Sequence, residues 1–199
     1  NGRVHVLEDG NGQFEEIWLS EYLEGAICGL YLNDINNDGL NEIIVFTEQG
    51  RIHYIDEKDY RVIWSNPPGE YDHFNGHIIS NIDEDIQPEI IVCADGHLII
   101  YDGRDQYEQW RSEQDNLAAK SILVDDVDGD GSREIVLSDG YVFDARFFDL
   151  EWQSPEPFGD IMGLIDLDGD GIAELIGEFQ GRYIRIFDVD LRREKSIAQ

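Results

Sequence analysis

The apolar residues of the chain fall in short runs that are rich in Ile, Val and Tyr and are bounded by Gly, Asp and Asn. Some runs alternate apolar and polar residues, as residues 51–55 do with Arg-Ile-His-Tyr-Ile. Such runs are typical of β-strands. No long stretch spaces its apolar side chains as an amphipathic helix does. The pattern therefore predicts an all-β protein with almost no helix.

The runs recur as one repeated unit: an acidic loop, an apolar run, a Gly turn, a second apolar run that ends in Asp, and a Trp. The acidic loops, numbered 1 to 4, start 47, 45 and 40 residues apart and occupy 34–42, 81–89, 126–134 and 166–174. All four tryptophans share one position of the unit: Trp18, Trp64, Trp110 and Trp152. This shared position favours packing between neighbouring repeats over ligand stacking.

Each unit predicts four strands of one antiparallel sheet, about 26–33, 41–47, 51–56 and 60–65 in the first unit. A four-stranded sheet repeated roughly every 45 residues is typical of a β-propeller. A solenoid of short strands usually repeats at roughly half that period. We predict a β-propeller of four-stranded antiparallel blades, as a single domain 1–199 or a segment of a larger propeller. Its parts are a half-blade at 2–20 and four full blades at 26–66, 77–112, 118–154 and 160–197.

The predicted half-blade has the Gly, strand and Trp of a unit's second half, but no acidic loop precedes it. Its inner strand would therefore have an unpaired edge, which is an aggregation hazard. We expect that edge to be met by another part of the molecule, by a neighbouring chain, or by further blades of a longer parent chain.

The charge of the chain excludes some partners. Lys and Arg number 14 against 44 Asp and Glu, so the formal net charge is −30. Nucleic acids and anionic membrane surfaces require a basic face, and we expect neither nucleic-acid binding nor direct membrane insertion. At 41% hydrophobic and 11% aromatic residues, the chain is too apolar to be a disordered acidic segment.

The acidic loops follow the pattern D-x-[DN]-x-D-G-x-x-E, which places side-chain oxygens at loop positions one, three, five and nine. A cage of carboxylates suits Ca²⁺, which takes six to eight oxygen ligands at about 2.3–2.6 Å, better than Mg²⁺. Glycine at position six permits the sharp turn, and the carbonyl at position seven can add a ligand. An acidic turn that binds nothing is the alternative. The predicted ligands in three loops are Asp34, Asn36, Asp38, Leu40 and Glu42; Asp126, Asp128, Asp130, Ser132 and Glu134; and Asp166, Asp168, Asp170, Ile172 and Glu174.

Loop 2 departs from the pattern, with Asn at position one, Ile86 in place of Gly, and Pro88 at position eight. A β-branched residue resists the left-handed backbone. Loop 2 is therefore a weaker candidate for a fourth calcium site, with the ligands Asn81, Asp83, Asp85, Gln87 and Glu89.

The three regular loops, each followed by an Ile, Leu or Val strand, resemble the FG-GAP/VCBS repeats of integrin α-subunit propellers and many bacterial surface proteins. Phe158-Gly159, ahead of loop 4, resembles the Phe-Gly that names the family. The resemblance implies a propeller with calcium loops on one face and ligand-facing loops on the opposite face. It also implies an extracellular or cell-surface location, in a family that includes adhesion proteins, lectins and non-catalytic parts of polysaccharide-degrading enzymes.

The longest loop after a Trp strand, 66–76, is a candidate ligand-binding loop. It combines Tyr71, Asp72, His73 and Phe74, and aromatic rings beside hydrogen-bonding groups suit a sugar or a peptide. Variable loops on a rigid scaffold are common recognition sites. The alternative is a Pro/Gly-rich surface loop that packs on its own blade.

Two functional classes remain open. The favoured one is a non-enzymatic, calcium-binding adhesion or binding module for a protein or glycan. The second is an accessory or catalytic propeller of a carbohydrate-active enzyme such as a polysaccharide lyase. No G-x-S-x-G and no phosphate-binding glycine loop occurs. Carboxylates are too numerous for a glycosidase pair to be singled out, so no catalytic residue is assigned.

Overall fold

The computed structural model describes residues 2–83 and 85–195, which form strands, turns and loops without any helix. Accordingly, the described residues contain no helix long and apolar enough to cross a membrane. The predicted blade at 160–197 ends two residues beyond this part of the chain.

The strands are β1 (His5–Asp9), β2 (Phe14–Leu19), β3 (Ile27–Asn33), β4 (Glu42–Thr47), β5 (Ile52–Ile55), β6 (Val62–Ser65), β7 (Phe74–Ser80), β8 (Glu89–Ala94), β9 (His97–Tyr101), β10 (Glu108–Arg111), β11 (Ile122–Asp125), β12 (Glu134–Leu137), β13 (Tyr141–Asp144), β14 (Leu150–Gln153), β15 (Ile161–Ile165), β16 (Glu174–Phe179), β17 (Tyr183–Asp188) and β18 (Arg193–Glu194).

The strands form one two-stranded sheet and four four-stranded antiparallel sheets. β1 and β2 make the half-blade, and β3–β6, β7–β10, β11–β14 and β15–β18 make blades 1 to 4 in simple sequential order. The four strands predicted for the first unit are confirmed to within two residues at each end. The all-β prediction of four blades and a partial blade is also confirmed.

The chain divides into two compact units. Unit 1 contains Asn1–Phe74 and Gly103–Asp105, and so holds the half-blade and blade 1. Unit 2 contains Asn75–Asp102 and Gln106–Gln199, and so holds blades 2, 3 and 4 apart from the first residue of β7.

The second strands of blades 1, 2 and 3 lie in the core. Every residue of β4, β8 and β12 is buried. Within β12, Ile135 packs in a cluster with Ile91 of blade 2, whereas Val136 packs with Leu175 of blade 4. Successive side chains of a strand point to opposite faces of its sheet, so one strand supplies the cores on both sides of blade 3.

Three of the four tryptophans pack against a neighbouring blade, as their shared position predicts. Trp110 of blade 2 lies 5.1 Å from the ring of Phe148 beside blade 3, and Trp152 of blade 3 lies 6.4 Å from Phe187 of blade 4, between ring centroids. In unit 1, Trp18 stacks on Tyr60 at 5.1 Å. The fourth tryptophan, Trp64, makes an edge contact with Tyr54 of its own blade, also at 5.1 Å.

Three of the tryptophans are followed, two residues later, by a polar residue whose side chain accepts a hydrogen bond. In each case the donor lies near the start of the neighbouring strand. The donor is a backbone N–H group that burial would otherwise leave unpaired. The bonds are Val4 N–H to Ser20 Oγ at 2.8 Å, Ile52 N–H to Asn66 Oδ1 at 2.7 Å, and Leu98 N–H to Ser112 Oγ at 3.0 Å.

The Phe-Gly pair ahead of loop 4 has a packing role. Phe158 is fully buried and lies 4.8 Å from the Phe187 ring, between centroids. Gly159 has φ 126°, and a Cβ there would lie 2.1 Å from the carbonyl oxygen of Glu178. The ring therefore fills the core between blades 3 and 4, and the glycine lets the backbone approach β16 closely.

Candidate metal-binding loops

Each acidic loop joins the first strand of its blade to the second, and the Glu at position nine is the first residue of the second strand. This Glu is buried in all four loops. One of its oxygens accepts the backbone N–H at position two and so closes the loop. The four bonds run from Ile35 to Glu42 at 3.1 Å, from Ile82 to Glu89 at 2.8 Å, from Val127 to Glu134 at 2.8 Å, and from Leu167 to Glu174 at 2.7 Å.

The Asp at position one organises the turn. In loop 3, the two oxygens of Asp126 accept the N–H groups of Gly129 at 2.7 Å and Gly131 at 3.1 Å. Asp166 of loop 4 makes the same pair of bonds to its own loop glycines at 2.6 and 3.1 Å. The glycines at positions four and six of these loops have positive φ angles of 80–96°, a backbone region that Gly enters without a steric penalty.

Three of the loops bring carboxylate oxygens within 4.8 Å of one another. Oxygens at such separations can share one cation, because Ca²⁺ holds its ligands at about 2.3–2.6 Å. The clusters are Asp83, Asp85 and Glu89 in loop 2; Asp126, Asp128 and Glu134 in loop 3; and Asp166, Asp168 and Asp170 in loop 4.

Loop 1 offers a different indication of a ligand. The Oδ1 atom of Asn36, at position three, is buried and has no hydrogen-bond partner. Its Nδ2 donates to Glu42 Oε1 at 2.9 Å, which leaves Oδ1 available to a cation. A buried polar oxygen without a partner costs free energy, and a coordinated metal would remove that cost.

The electrostatics of loops 2 and 3 also favour a cation. Burial, followed by repulsion from Asp128 and other carboxylates, raises the pKa of Glu134 to about 8. Burial, followed by repulsion from Asp83 and Asp85, raises the pKa of Glu89 to about 7. Burial also raises the pKa of Glu42 in loop 1. A bound cation would favour the charged form of each carboxylate, so the donor set fits a hard divalent ion.

Loop 2 gathers its carboxylates although Ile86 and Pro88 break the sequence pattern. Its position one is used differently, since Asn81 Nδ2 donates to the carbonyl oxygen of Asp85 at 2.7 Å. Asp83 and Asp85 still approach Glu89, so the weakness inferred from the sequence does not extend to the carboxylate positions.

The residues at position seven donate backbone N–H groups to the Asp at position five of their own loops. These donors are Leu40 at 3.0 Å, Gln87 at 2.7 Å, Ser132 at 2.7 Å and Ile172 at 2.9 Å. This bond orients the position-five carboxylate. Coordination by the position-seven carbonyls stays a prediction.

Two lysines that lie outside the loops contact loop carboxylates. Lys58 Nζ lies 3.0 Å from Asp38 Oδ2 in loop 1. Lys195 Nζ lies 2.8 Å from Asp168 Oδ2 in loop 4 and also contacts Glu174. Nothing in the repeat pattern indicates either contact, because the lysines occupy different positions of their units.

The four residues of the candidate ligand-binding loop divide into two pairs. Tyr71 and Phe74 are buried, and their ring centroids lie 5.6 Å apart. Phe74 also meets Phe46 of β4 edge to face. Asp72 and His73 are exposed. The two rings therefore pack within unit 1, and only the two polar residues face solvent.

Unit 2 has a groove of about 920 Å³ between loops 2 and 3. Its lining includes Asp83, Asp85, Arg133 and Arg146. Arg133 Nη1 donates to the backbone carbonyl of Asn81 and so connects the two loops across the groove. The volume is within the usual range for small-ligand sites, about 300–1,000 Å³.

Comparison with solved structures agrees with this architecture. The Vibrio cholerae biofilm matrix protein Bap1 matches with a TM-score of 0.64 and 20% identity, over 88% of this chain and 31% of Bap1. BBS1N, solved in complex with ARL6DN, matches with a TM-score of 0.61 and 13% identity, over 92% of this chain and 59% of that one. Saccharomyces cerevisiae Sqt1 gives a TM-score of 0.60 at 12% identity, over 83% of this chain and 47% of that one.

The neighbours include β-propellers. At these identities the likeness concerns the fold alone, and the chain spans less than two thirds of the length of each of these neighbours. No protein-family model matches the chain. No curated protein sequence matches it.

Proposed function

We propose that the chain is a calcium-stabilised β-propeller module of the FG-GAP/VCBS type, which binds a protein or glycan as part of a secreted or cell-surface protein. The observation that carries the proposal is the recurrence of one donor arrangement. Short loops at equivalent places in the blades collect carboxylate oxygens within 4.8 Å in three cases, and the remaining loop has the unpartnered oxygen of Asn36.

The role of the ion would be structural. Burial, followed by repulsion from neighbouring carboxylates, raises the pKa values of Glu134 and Glu89. A divalent cation would neutralise part of this charge and fix the loop that starts each second strand. The proposed function is therefore a rigid scaffold whose loops present a binding surface.

Two surface features could receive the ligand. Asp72 and His73 remain the exposed part of the predicted recognition loop. The groove between loops 2 and 3 is lined in part by the basic residues Arg133 and Arg146, in a protein of net charge −30. The similarity in fold to a biofilm matrix protein is consistent with a binding or adhesion module.

Calorimetric melting in Ca²⁺ and in a strong chelator tests the metal. A site that binds only the folded state adds about 2.7 kcal/mol at a hundredfold excess of ion over Kd, so the Tm should fall in chelator. Asp128→Ala should lose the stabilisation that one calcium site adds. Asp149→Ala, which removes a charge outside the loops, should respond to calcium as the wild type does. A Tm that the chelator leaves unchanged would defeat the calcium proposal.

A glycan-array screen combined with a polysaccharide-cleavage assay tests the binding role. We expect saturable binding to a glycan or to a protein partner, without bond cleavage. Calcium-dependent cleavage of a polysaccharide would overturn the non-enzymatic assignment and favour the carbohydrate-active enzyme.

A further inference from the structure

Loop 4 has a lysine of its own chain in direct contact with its carboxylates. The Nζ atom of Lys195 lies 2.8 Å from Asp168 Oδ2 and 3.3 Å from Asp188 Oδ1, and it contacts Glu174 Oε1. Asp168 and Glu174 occupy positions three and nine of the loop, and Asp188 ends the neighbouring strand β17. A single ammonium group thus joins three carboxylates.

Two of these carboxylates are nearly inaccessible to water, since Glu174 and Asp188 are each 5% exposed. Buried carboxylates need a counter-charge or a proton. The Lys195 side chain is 27% exposed. Its backbone, directly after β18, is held by the bond from Lys195 N–H to the carbonyl oxygen of Ile186 at 2.7 Å. The backbone therefore positions the ammonium over the loop.

The arrangement of the loop 4 carboxylates agrees with this contact. In loops 2 and 3 the position-nine Glu is one of the three clustered acids, whereas in loop 4 the cluster consists of Asp166, Asp168 and Asp170. Glu174 Oε2 accepts the Leu167 N–H, and the other oxygen, Oε1, contacts Lys195 Nζ. Loop 1 shows a lesser version, in which Lys58 contacts Asp38 and both side chains are well exposed.

We propose that Lys195 is the resident cation of loop 4 and competes with a divalent ion for Asp168 and Glu174. Loop 4 is then held together without metal, and its affinity for calcium is the lowest of the three loops with the complete sequence pattern. The competition with calcium rests on the proposed function, whereas the counter-ion role does not.

The test uses Lys195→Met in the full chain, with Lys120→Met as the matched control. Lys120 pairs with Asp160 at 2.8 Å, away from the loops. The K120M substitution therefore removes the same charge without changing a loop contact. Calcium titration by isothermal calorimetry should show a lower Kd at one site in K195M. The decrease should be about tenfold to a hundredfold, because the ion no longer has to displace hydrogen bonds between charged groups. K120M should titrate as the wild type does.

Urea denaturation in chelator gives an independent readout. K195M should be less stable than K120M there, because Glu174 loses its counter-charge and Asp188 keeps only Arg193, at 2.8 Å. Lys195→Arg should retain most of the stability. Calcium affinities unchanged in K195M, together with a chelator stability equal to that of K120M, would overturn the proposal. Absence of calcium binding in the wild type and in every variant would defeat the proposed function and the competition, while the stability comparison would still decide the counter-ion role.

Discussion

At the scale of single residues, the position-nine Glu has two roles that pull in opposite directions. It accepts the position-two N–H, which closes the loop, and it places a negative charge where burial disfavours one. Glu134 is 1% exposed, and its raised pKa of about 8 reflects this conflict. The side chain therefore supports the loop through its oxygen atoms and destabilises the metal-free protein through its charge.

Glu134→Ala and Glu134→Gln separate these two roles. The alanine variant leaves the buried Val127 N–H without an acceptor and should lose about 1–3 kcal/mol in chelator. The glutamine variant keeps an acceptor and removes the charge, so in chelator it should be at least as stable as the wild type. In calcium it should lack the stabilisation from loop 3.

Urea denaturation with and without calcium measures both effects, and Glu113→Gln, at an exposed position, is the control. Equal losses for the alanine and glutamine variants in chelator would contradict the two-role account.

At the scale of secondary-structure elements, the blades are joined by apolar side chains and completed by side-chain hydrogen bonds. Trp152 packs against Phe158 and Phe187 between blades 3 and 4. Ser112, just after β10, accepts the Leu98 N–H of the adjacent strand β9. Blades 2 and 3 thus use the second halves of their units for packing and for hydrogen bonding.

Ser112→Ala tests the hydrogen bond. Leu98 is fully buried, so its N–H would lose its partner and the free energy of unfolding should fall by about 1–3 kcal/mol. The matched control is Ser154→Ala at the equivalent place in blade 3, where Ser154 Oγ has a longer contact of 3.4 Å, with Glu156 N. We expect a smaller loss there, and equal losses in urea denaturation would argue against the strand-pairing role.

Trp152→Ala tests the packing between blades 3 and 4. Trp152 is 9% exposed, and truncating a buried aromatic side chain to Ala typically costs about 3–5 kcal/mol. Trp18→Ala should cost less, because Trp18 is only half-buried beside the two-stranded half-blade. Guanidinium denaturation of the two variants measures the difference, and a larger loss for Trp18→Ala would contradict it.

At the scale of the whole molecule, the net charge of −30 disfavours any compact state through self-repulsion. Acidic loops add to this in each blade, while Lys58 and Lys195 offset it locally. Screening and specific ion binding should therefore both stabilise the fold, by different amounts.

A comparison of NaCl with CaCl2 at equal ionic strength separates charge screening from specific ion binding. The Debye length is about 10 Å at 0.1 M salt, so NaCl should raise the Tm of the metal-free protein gradually. Millimolar CaCl2 should raise it further than NaCl of the same ionic strength, because specific sites add to screening. Equal melting curves in the two salts would mean that screening alone accounts for the calcium response.

The sequence by itself determined the architecture, for a physical reason. A repeated unit buries the same faces each time, so its strands, its Gly turns and its tryptophans recur at the same positions. They can therefore be recognised in the sequence alone. The carboxylates of loops 3 and 4 were predictable for the same reason, since residues within nine positions in a tight turn must lie near one another. In loop 3 this spacing brings Asp126, Asp128 and Glu134 within 4.8 Å, whereas in loop 4 the same spacing gathers three Asp residues without Glu174.

The tertiary structure decided what depends on neighbours distant in the chain. It placed Lys195 on loop 4, 21 residues from Glu174, and it buried Tyr71 and Phe74, which the sequence offered as ligand contacts. These outcomes depend on which side chains meet across a strand or a packed face, and local spacing carries no information about such encounters.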